Sequence, residues 1–149
     1  MAGKQSCPIP GLKKILLATD GSKFSEAAMK EAISISRACA SKLYVLSVVE
    51  MNPEYEALAP QLVEKADAET RKLLEAAKKR VLKEGLECET IVHQGDEPAQ
   101  LIVEEARKRK VNMIVMGIHG RKGLKKLMMG SVTAKVIAHT PCSVLVVKA

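Results

Sequence analysis

Three glycines, Gly117, Gly120 and Gly130, bracket a stretch in which Arg121, Lys122, Lys125 and Lys126 supply positive charge, and Ser131 follows the third glycine directly. Glycine permits positive φ and lets backbone approach a ligand closely. Successive N–H groups facing one way form an anion nest. A helix opening at Ser131 would add N–H groups without intrahelical acceptors, together with the positive end of its dipole. A phosphate set there could accept several N–H bonds and one from the Ser131 hydroxyl. Bare backbone, cationic side chains and a helix start within one loop are therefore what a polyphosphate requires. Each residue also has a plainer use: Gly117 can end a strand, Gly120 can serve a turn and Ser131 can be an N-cap. The spacing is neither GxxxxGK[ST] nor GxGxxG, which disfavours a P-loop NTPase and a conventional NAD site. His119 reads as a solvated or phosphate-side contact rather than a catalytic base, and Thr133 as a supporting contact or a helix-surface residue.

The elements that must position this loop follow from apolar periodicity. Lys14–Thr19 is a short apolar run cut off by Asp20-Gly21-Ser22, which predicts a buried strand. From Ser22 to Ala40 the residues Phe24, Ala28, Ala32, Ile35 and Cys39 form a helical stripe, with Ser22 as N-cap and Ser25 as a competitor. Lys42–Glu50 is a second strand, and MNPEYEALAP (51–60), with two prolines, reads as a loop. A long helix over Gln61–Glu84 carries the stripe Leu62, Ala66, Leu73, Ala77 and Val81 and stops at Gly85. Leu86–His93, interrupted by Glu87 and Glu89, suits an edge strand. Asp96 can cap a helix that starts near Pro98, runs to about Lys110 and turns Ala99, Ile102, Val103 and Ala106 inward. Val111–Gly117 is the fourth strand, a helix spans about Ser131 to His139, and Ser143–Lys148 is the fifth strand.

Strands alternating with helices predict a single α/β domain, a five-stranded parallel sheet covered by helices on both faces. We take the order as 3-2-1-4-5. The winding then reverses between strands 1 and 4, and ligands bind beyond the carboxyl ends of strands at such a point. The loops leaving those two strands are Asp20-Gly21-Ser22 and the glycine stretch. In the same order the apolar fifth strand lies at an edge, where a second copy could cover it and give a two-fold homodimer.

Length and composition agree with one domain: 149 residues, with 47% apolar. Residues 1–12 read as a flexible tail and 13–149 as the domain. No apolar run reaches the roughly 18 residues a membrane helix needs, and the N-terminus has no apolar signal core. The four cysteines form no CxxC pair, and Cys39, Cys88 and Cys142 read as free buried thiols, which fits a reducing cytoplasm. The net charge of +7 raises a nucleic-acid reading, but one Phe and two Tyr make a poor stacking platform. No GxSxG or HExxH occurs, and Asp20 is the obvious carboxylate at the predicted site. A binding module is therefore favoured over a dedicated enzyme.

Gly117-x-x-Gly120, nine residues, then Gly130-Ser131 resembles the G-2x-G-9x-G-[S/T] motif of ATP-binding universal stress proteins. KILLATDGS, GDEPAQLIVEEA, NMIVMGIHGR and TPCSVLVV are similar to that family as well, so the resemblance runs from about residue 13 to the C-terminus. It implies an adenine nucleotide alpha hydrolase-like, Rossmann-type domain that holds ATP, with Mg2+ or Mn2+ carried on the phosphates. By the same resemblance Asp20 contacts the nucleoside, with Ala18 and Thr19 as candidate binding residues before it, and Val48 lies beside the adenine. Met116 and Gly117 pass the ribose and phosphates, while Gly120, Gly130, Ser131 and Val132 wrap the polyphosphate; His119, Arg121 and Thr133 are further candidate binding residues beside them. It further implies a homodimer through the last strand, a nucleotide state read by an unidentified protein partner, and a stress-response or signalling role. AMP is an alternative nucleotide, and slow ATP hydrolysis or autophosphorylation at Ser131 or Thr133 an alternative activity.

Overall fold

Apolar runs too short for helices and too continuous for one-sided strands need cover on both faces, and the chain provides it. In a computed structural model, which describes residues 7–120 and 128–149, β1 (Lys14–Ala18), β2 (Lys42–Glu50), β3 (Cys88–Gly95), β4 (Met113–Gly117) and β5 (Ser143–Val147) form one sheet in the order β3-β2-β1-β4-β5. Every pairing is parallel. The helices are α1 (Lys23–Cys39), α2 (Pro53–Leu58), α3 (Pro60–Lys83), α4 (Pro98–Arg109) and α5 (Ser131–His139).

Strand side chains alternate between faces, and two cores result. Ile15, Leu17, Leu43, Val45 and Val115 meet α1 and α3 through Ala28, Ala32, Leu74, Ala77 and Val81. Leu16, Tyr44, Leu46, Ile114 and Met116 meet α4 and α5 through Ile102, Val103, Ala106 and Val136. The amino ends of the strands are tied by Asn112, whose Oδ1 accepts from the backbone N–H of Lys13 (3.0 Å) and Lys14 (2.9 Å).

Several local expectations need correction. Residues 53–58 are the helix α2, not loop. Asn52 caps it by accepting from the Tyr55 N–H at 2.7 Å, and Pro53 occupies the first turn, where its missing N–H costs nothing. The inward stripe of α3 is Val63, Leu74, Ala77 and Val81, while Leu62 is 54% exposed. One residue is a 100° rotation on a helix, and pattern alone chose the larger side chain over the correctly phased one. Asp96 does not cap α4. Glu97 holds that place, without a side-chain bond, and Pro98 follows. Cys39 is not a free thiol; it is disulfide-bonded to Cys7, and Cys88 and Cys142 are half-buried and free. Leu12 is buried in the core, and its carbonyl accepts from the Ser41 hydroxyl.

The edge strand β3 is anchored by charge. Glu89 pairs with Lys42 and Arg109, and both cations also lie over the Tyr44 ring, at 4.9 and 5.1 Å. Glu105 on α4, only 6% exposed, accepts from Arg109 Nε at 3.1 Å and is bonded to His93 Nε2 at 2.8 Å. Burial by itself pushes this carboxyl up, but the bonds to His93 and Arg109 outweigh it and hold the group below the ordinary glutamate range. A depressed folded-state pKa gives stability that is present above the unfolded value, about 4.3, and lost as pH falls through the folded one. Urea unfolding below about pH 4.3 should therefore show a shallower loss of stability in Glu105→Gln than in the parent. Equal slopes would mean that this carboxylate is not specially stabilised.

Candidate functional site

At the carboxyl end of the sheet, where β1 and β4 lie side by side and their connections diverge, the chain leaves a cavity of about 580 Å³. That lies within the range of about 300–1,000 Å³ usual for small-molecule sites. The predicted site residues that the structure describes all line it: Ala18, Thr19 and Asp20 after β1, Val48 on β2, Met116, Gly117, His119 and Gly120 after β4, and Gly130, Ser131, Val132 and Thr133 at the start of α5. Arg121 and the basic positions Lys122, Lys125 and Lys126 lie outside the described residues.

The β1 turn is shaped by its own side chains. Asp20 Oδ1 accepts from the Ser22 N–H at 2.9 Å, and Ser22 Oγ accepts from the Ser25 N–H at 3.3 Å, so Ser22 is the cap of α1. Gly21 has φ +80°, a conformation that favours glycine. The three motif glycines are explained differently. None has positive φ; each is a place of close approach. A Cβ at Gly117 would lie 2.8 Å from the backbone carbon and Cβ of Phe24. At Gly120 it would lie 2.7 Å from Asp20 Oδ2, which brings a carboxylate against bare backbone. At Gly130 it would lie 3.2 Å from the Ile118 carbonyl oxygen.

Hydrogen bonds fix the second loop to the sheet. The Ile118 N–H donates to the Val147 carbonyl at 3.0 Å, and the Gly130 N–H donates to the Ile118 carbonyl at 2.8 Å. Gly130, not Ser131, is therefore the cap residue of α5, with φ −60° and ψ 150° and no side-chain bond to the helix start. Ser131 is the first helical residue. The N–H groups of Ser131, Val132 and Thr133 precede the first intrahelical bond, which the Ala134 N–H makes to the Gly130 carbonyl at 3.0 Å. An acceptor in the cavity can meet these donors and the positive end of the helix.

Thr133 is buried and donates its hydroxyl to the Gly117 carbonyl at 2.9 Å, tying α5 to the end of β4. It is a tie between these two elements and not a helix-surface residue. A Thr133→Val change keeps the shape and leaves that carbonyl without its donor. We expect a loss of roughly 1–2 kcal/mol, read as a lower urea midpoint with an unchanged slope. His119 is not solvated. It is 6% exposed and packs edge-on against the Phe24 ring, with centroids 5.1 Å apart.

The far wall was not legible in the sequence. Ala66, Glu69 and Thr70 of α3, with Pro98 and Ile102 of α4, close the cavity beyond Val48. The three α3 residues carry no motif, and only the position of that helix brings them there; Pro98 and Ile102 lie in the GDEPAQLIVEEA stretch but are not among the site residues expected from the sequence. Among the described residues no cluster of three or more His, Cys, Asp or Glu is placed to hold a metal ion. No described helix is long and apolar enough to cross a membrane.

Comparison with known proteins supplies an independent line. The universal stress protein family matches residues 11–148. Universal stress protein MJ0531 of Methanocaldococcus jannaschii is 37% identical, over 91% of this chain and 82% of its own length. Among solved structures, the fold is similar to that of the hypothetical protein MJ0577, whose biochemical function was assigned from its structure (TM-score 0.85, 33% identity, 93% of this chain and 96% of that one). It is also similar to the universal stress protein from Archaeoglobus fulgidus in complex with dAMP (TM-score 0.67, 25% identity, 90% and 96%).

Proposed function

Because the chain belongs to the universal stress protein family, we propose that the cavity at the β1/β4 divergence binds an adenine nucleotide, and that ATP is the one it is built for. The observation that carries this reading is the start of α5. Its cap is a glycine with no side-chain bond to the helix start, and its first N–H groups border the same cavity as Val48 and Asp20. The base lies against Val48 and the apolar wall of Ile102 and Pro98. Asp20 accepts from ribose hydroxyls, and the phosphates take the N–H groups of residues 131–133. Gly120 and Gly130 let the backbone come close enough to do so.

The described walls contribute the carboxylates of Asp20, Glu50 and Glu69. The backbone donors of α5 supply attraction for phosphate, to which the cationic residues between Gly120 and Gly130 add by their place in the sequence. Mg2+ or Mn2+ enters with the phosphates rather than through a protein cage, and would screen the polyphosphate from Asp20. The chain acts as a cytoplasmic, nucleotide-dependent module in stress response or signalling whose state a protein partner reads. The half-exposed residues Val144, Leu145, Val146 and Val147 along the open edge of β5 support a two-fold dimer through that strand.

Calorimetric titration with ATP, AMP and dAMP at fixed Mg2+ tests the ligand. The expected order places ATP tightest, because only the triphosphate reaches the full set of α5 donors. No binding of any adenine nucleotide would overturn the reading, and equal affinity for AMP would remove its triphosphate part. Light scattering at micromolar concentration should give twice the chain mass; a monomer would remove the strand-paired dimer.

A further inference from the structure

We propose that Cys7 and Cys39 are a reversible thiol–disulfide pair that latches residues 7–11 to the foot of α1, and that a dithiol reductant releases this segment without disturbing the nucleotide cavity. The pair is formed in the structure. Cys39 is the last residue of α1, and the chain then turns through Ala40, in the left-handed region, into β2. Cys7 packs against the core from outside, and both cysteines are only half-buried, so a thiolate can reach the bond. Pro8, Ile9, Pro10 and Gly11 between the cysteine and the core are all exposed, Ile9 to 42%. They gain little from packing, so the covalent link is the main hold on them. The hold changes at Leu12, which is 3% exposed and whose carbonyl accepts from Ser41 Oγ. The released segment therefore ends just before Leu12.

The other two cysteines do not compete. Burial pushes the Cys88 thiol up to about 11 and raises that of Cys142, so neither is an appreciable thiolate at neutral pH. The latch is also far from the cavity. The 17 residues of α1 span about 25 Å at 1.5 Å per residue, with Ser22 at the cavity end and Cys39 at the other. In a reducing compartment a disulfide of this kind is transient and redox-sensing rather than a permanent staple.

The exchange balances. One thiolate of a small dithiol attacks a sulfur of the pair, and the other cysteine leaves as a thiolate and takes a proton. The second thiolate of the reagent then displaces the remaining cysteine and closes the reagent into a cyclic disulfide. Two electrons and two protons pass from reagent to protein.

The test uses the full chain carrying Cys88→Ser and Cys142→Ser, so that Cys7 and Cys39 are the only thiols. Air-purified protein, alkylated in denaturant, should show no label by intact mass, and two labels after treatment with dithiothreitol. Amide hydrogen exchange at Leu12, whose N–H donates to the Ile9 carbonyl at 3.3 Å, should rise at least tenfold on reduction, while that over β1 and β4 stays as it was. ATP affinity should move less than twofold. Two labels before any reductant would overturn the proposal, as would equal exchange at the Leu12 amide in the two states. A change in ATP affinity beyond twofold would overturn its claim of independence from the cavity. The exchange readout does not depend on nucleotide binding, so failure of the nucleotide reading and failure of the latch are separable.

Discussion

A Gly130→Val variant is expected to lose at least a hundredfold in affinity for ATP while remaining folded. Gly130 has φ −60° and ψ 150°, a conformation open to any L-residue, so the substitution meets no backbone strain. A first carbon would sit 3.2 Å from the Ile118 carbonyl oxygen and 3.4 Å from His119 Cα. Shifts of a few tenths of an ångström accommodate that much, and Gly130→Ala should be mild. Among the described residues, the two further methyl groups of valine meet the cavity or the 118–120 backbone. Either outcome moves the N–H groups of residues 131–133 relative to a phosphate. Hydrogen bonds to a charged acceptor are worth roughly 1.5–3 kcal/mol each, and 2.8 kcal/mol is a hundredfold, so impairing two suffices. Calorimetry at constant Mg2+ and salt measures the loss, and circular dichroism with a melting curve checks the fold. Unchanged affinity in a folded Gly130→Val protein would mean that the phosphates bind elsewhere.

The sheet order and the divergence of β1 and β4 could be read from the chain because the strands other than β3 are largely apolar runs and each crossover carries a helix. The glutamates of the third run marked its edge place, and Glu89 does lie on the edge strand β3. The motif residues were visible for a related reason: turns after β1 and β4 must come together once the order is fixed. What could not be read depends on contacts between segments distant in sequence. Ala66, Glu69 and Thr70 look like ordinary helix positions, and Cys7 and Cys39, 32 residues apart, have no spacing that announces a bond. The stripe of α3 holds at Ala77 and Val81 but fails at its start, because Leu62 and Val63 are both apolar and only packing decides between them. The loop reading of residues 53–58 ignored a local signal, an asparagine followed by proline, that begins helices as readily as it ends them.

The glycines show how one residue type can answer different needs within a single motif, and Gly117 is where this has its largest consequence for the fold. A Gly117→Ala substitution should destabilise the protein by about 2–3 kcal/mol and lower Tm by roughly 5–10 °C. The new carbon would fall 2.8 Å from the backbone carbon and Cβ of Phe24 and 2.9 Å from its carbonyl oxygen. Two of these three are main-chain atoms in the first turn of α1, a helix held from above by the Ser22 cap and packed against β4, so the contact cannot be relieved by a rotamer change. Replacing glycine by alanine does reduce the freedom of the unfolded chain, a gain of about 0.4–1 kcal/mol, but the overpacking term is larger. Phe24→Ala offers a decisive second arm. It removes the ring that packs on His119 and keeps all three atoms that the new carbon meets, so Phe24→Ala should not rescue Gly117→Ala in thermal or urea unfolding. Rescue would show that the ring, not the backbone, sets the limit at this position. If instead Gly117→Ala left stability unchanged and weakened only ATP binding, glycine here would be serving the ligand alone, and the close seat of α1 against the end of β4 would not be what requires it.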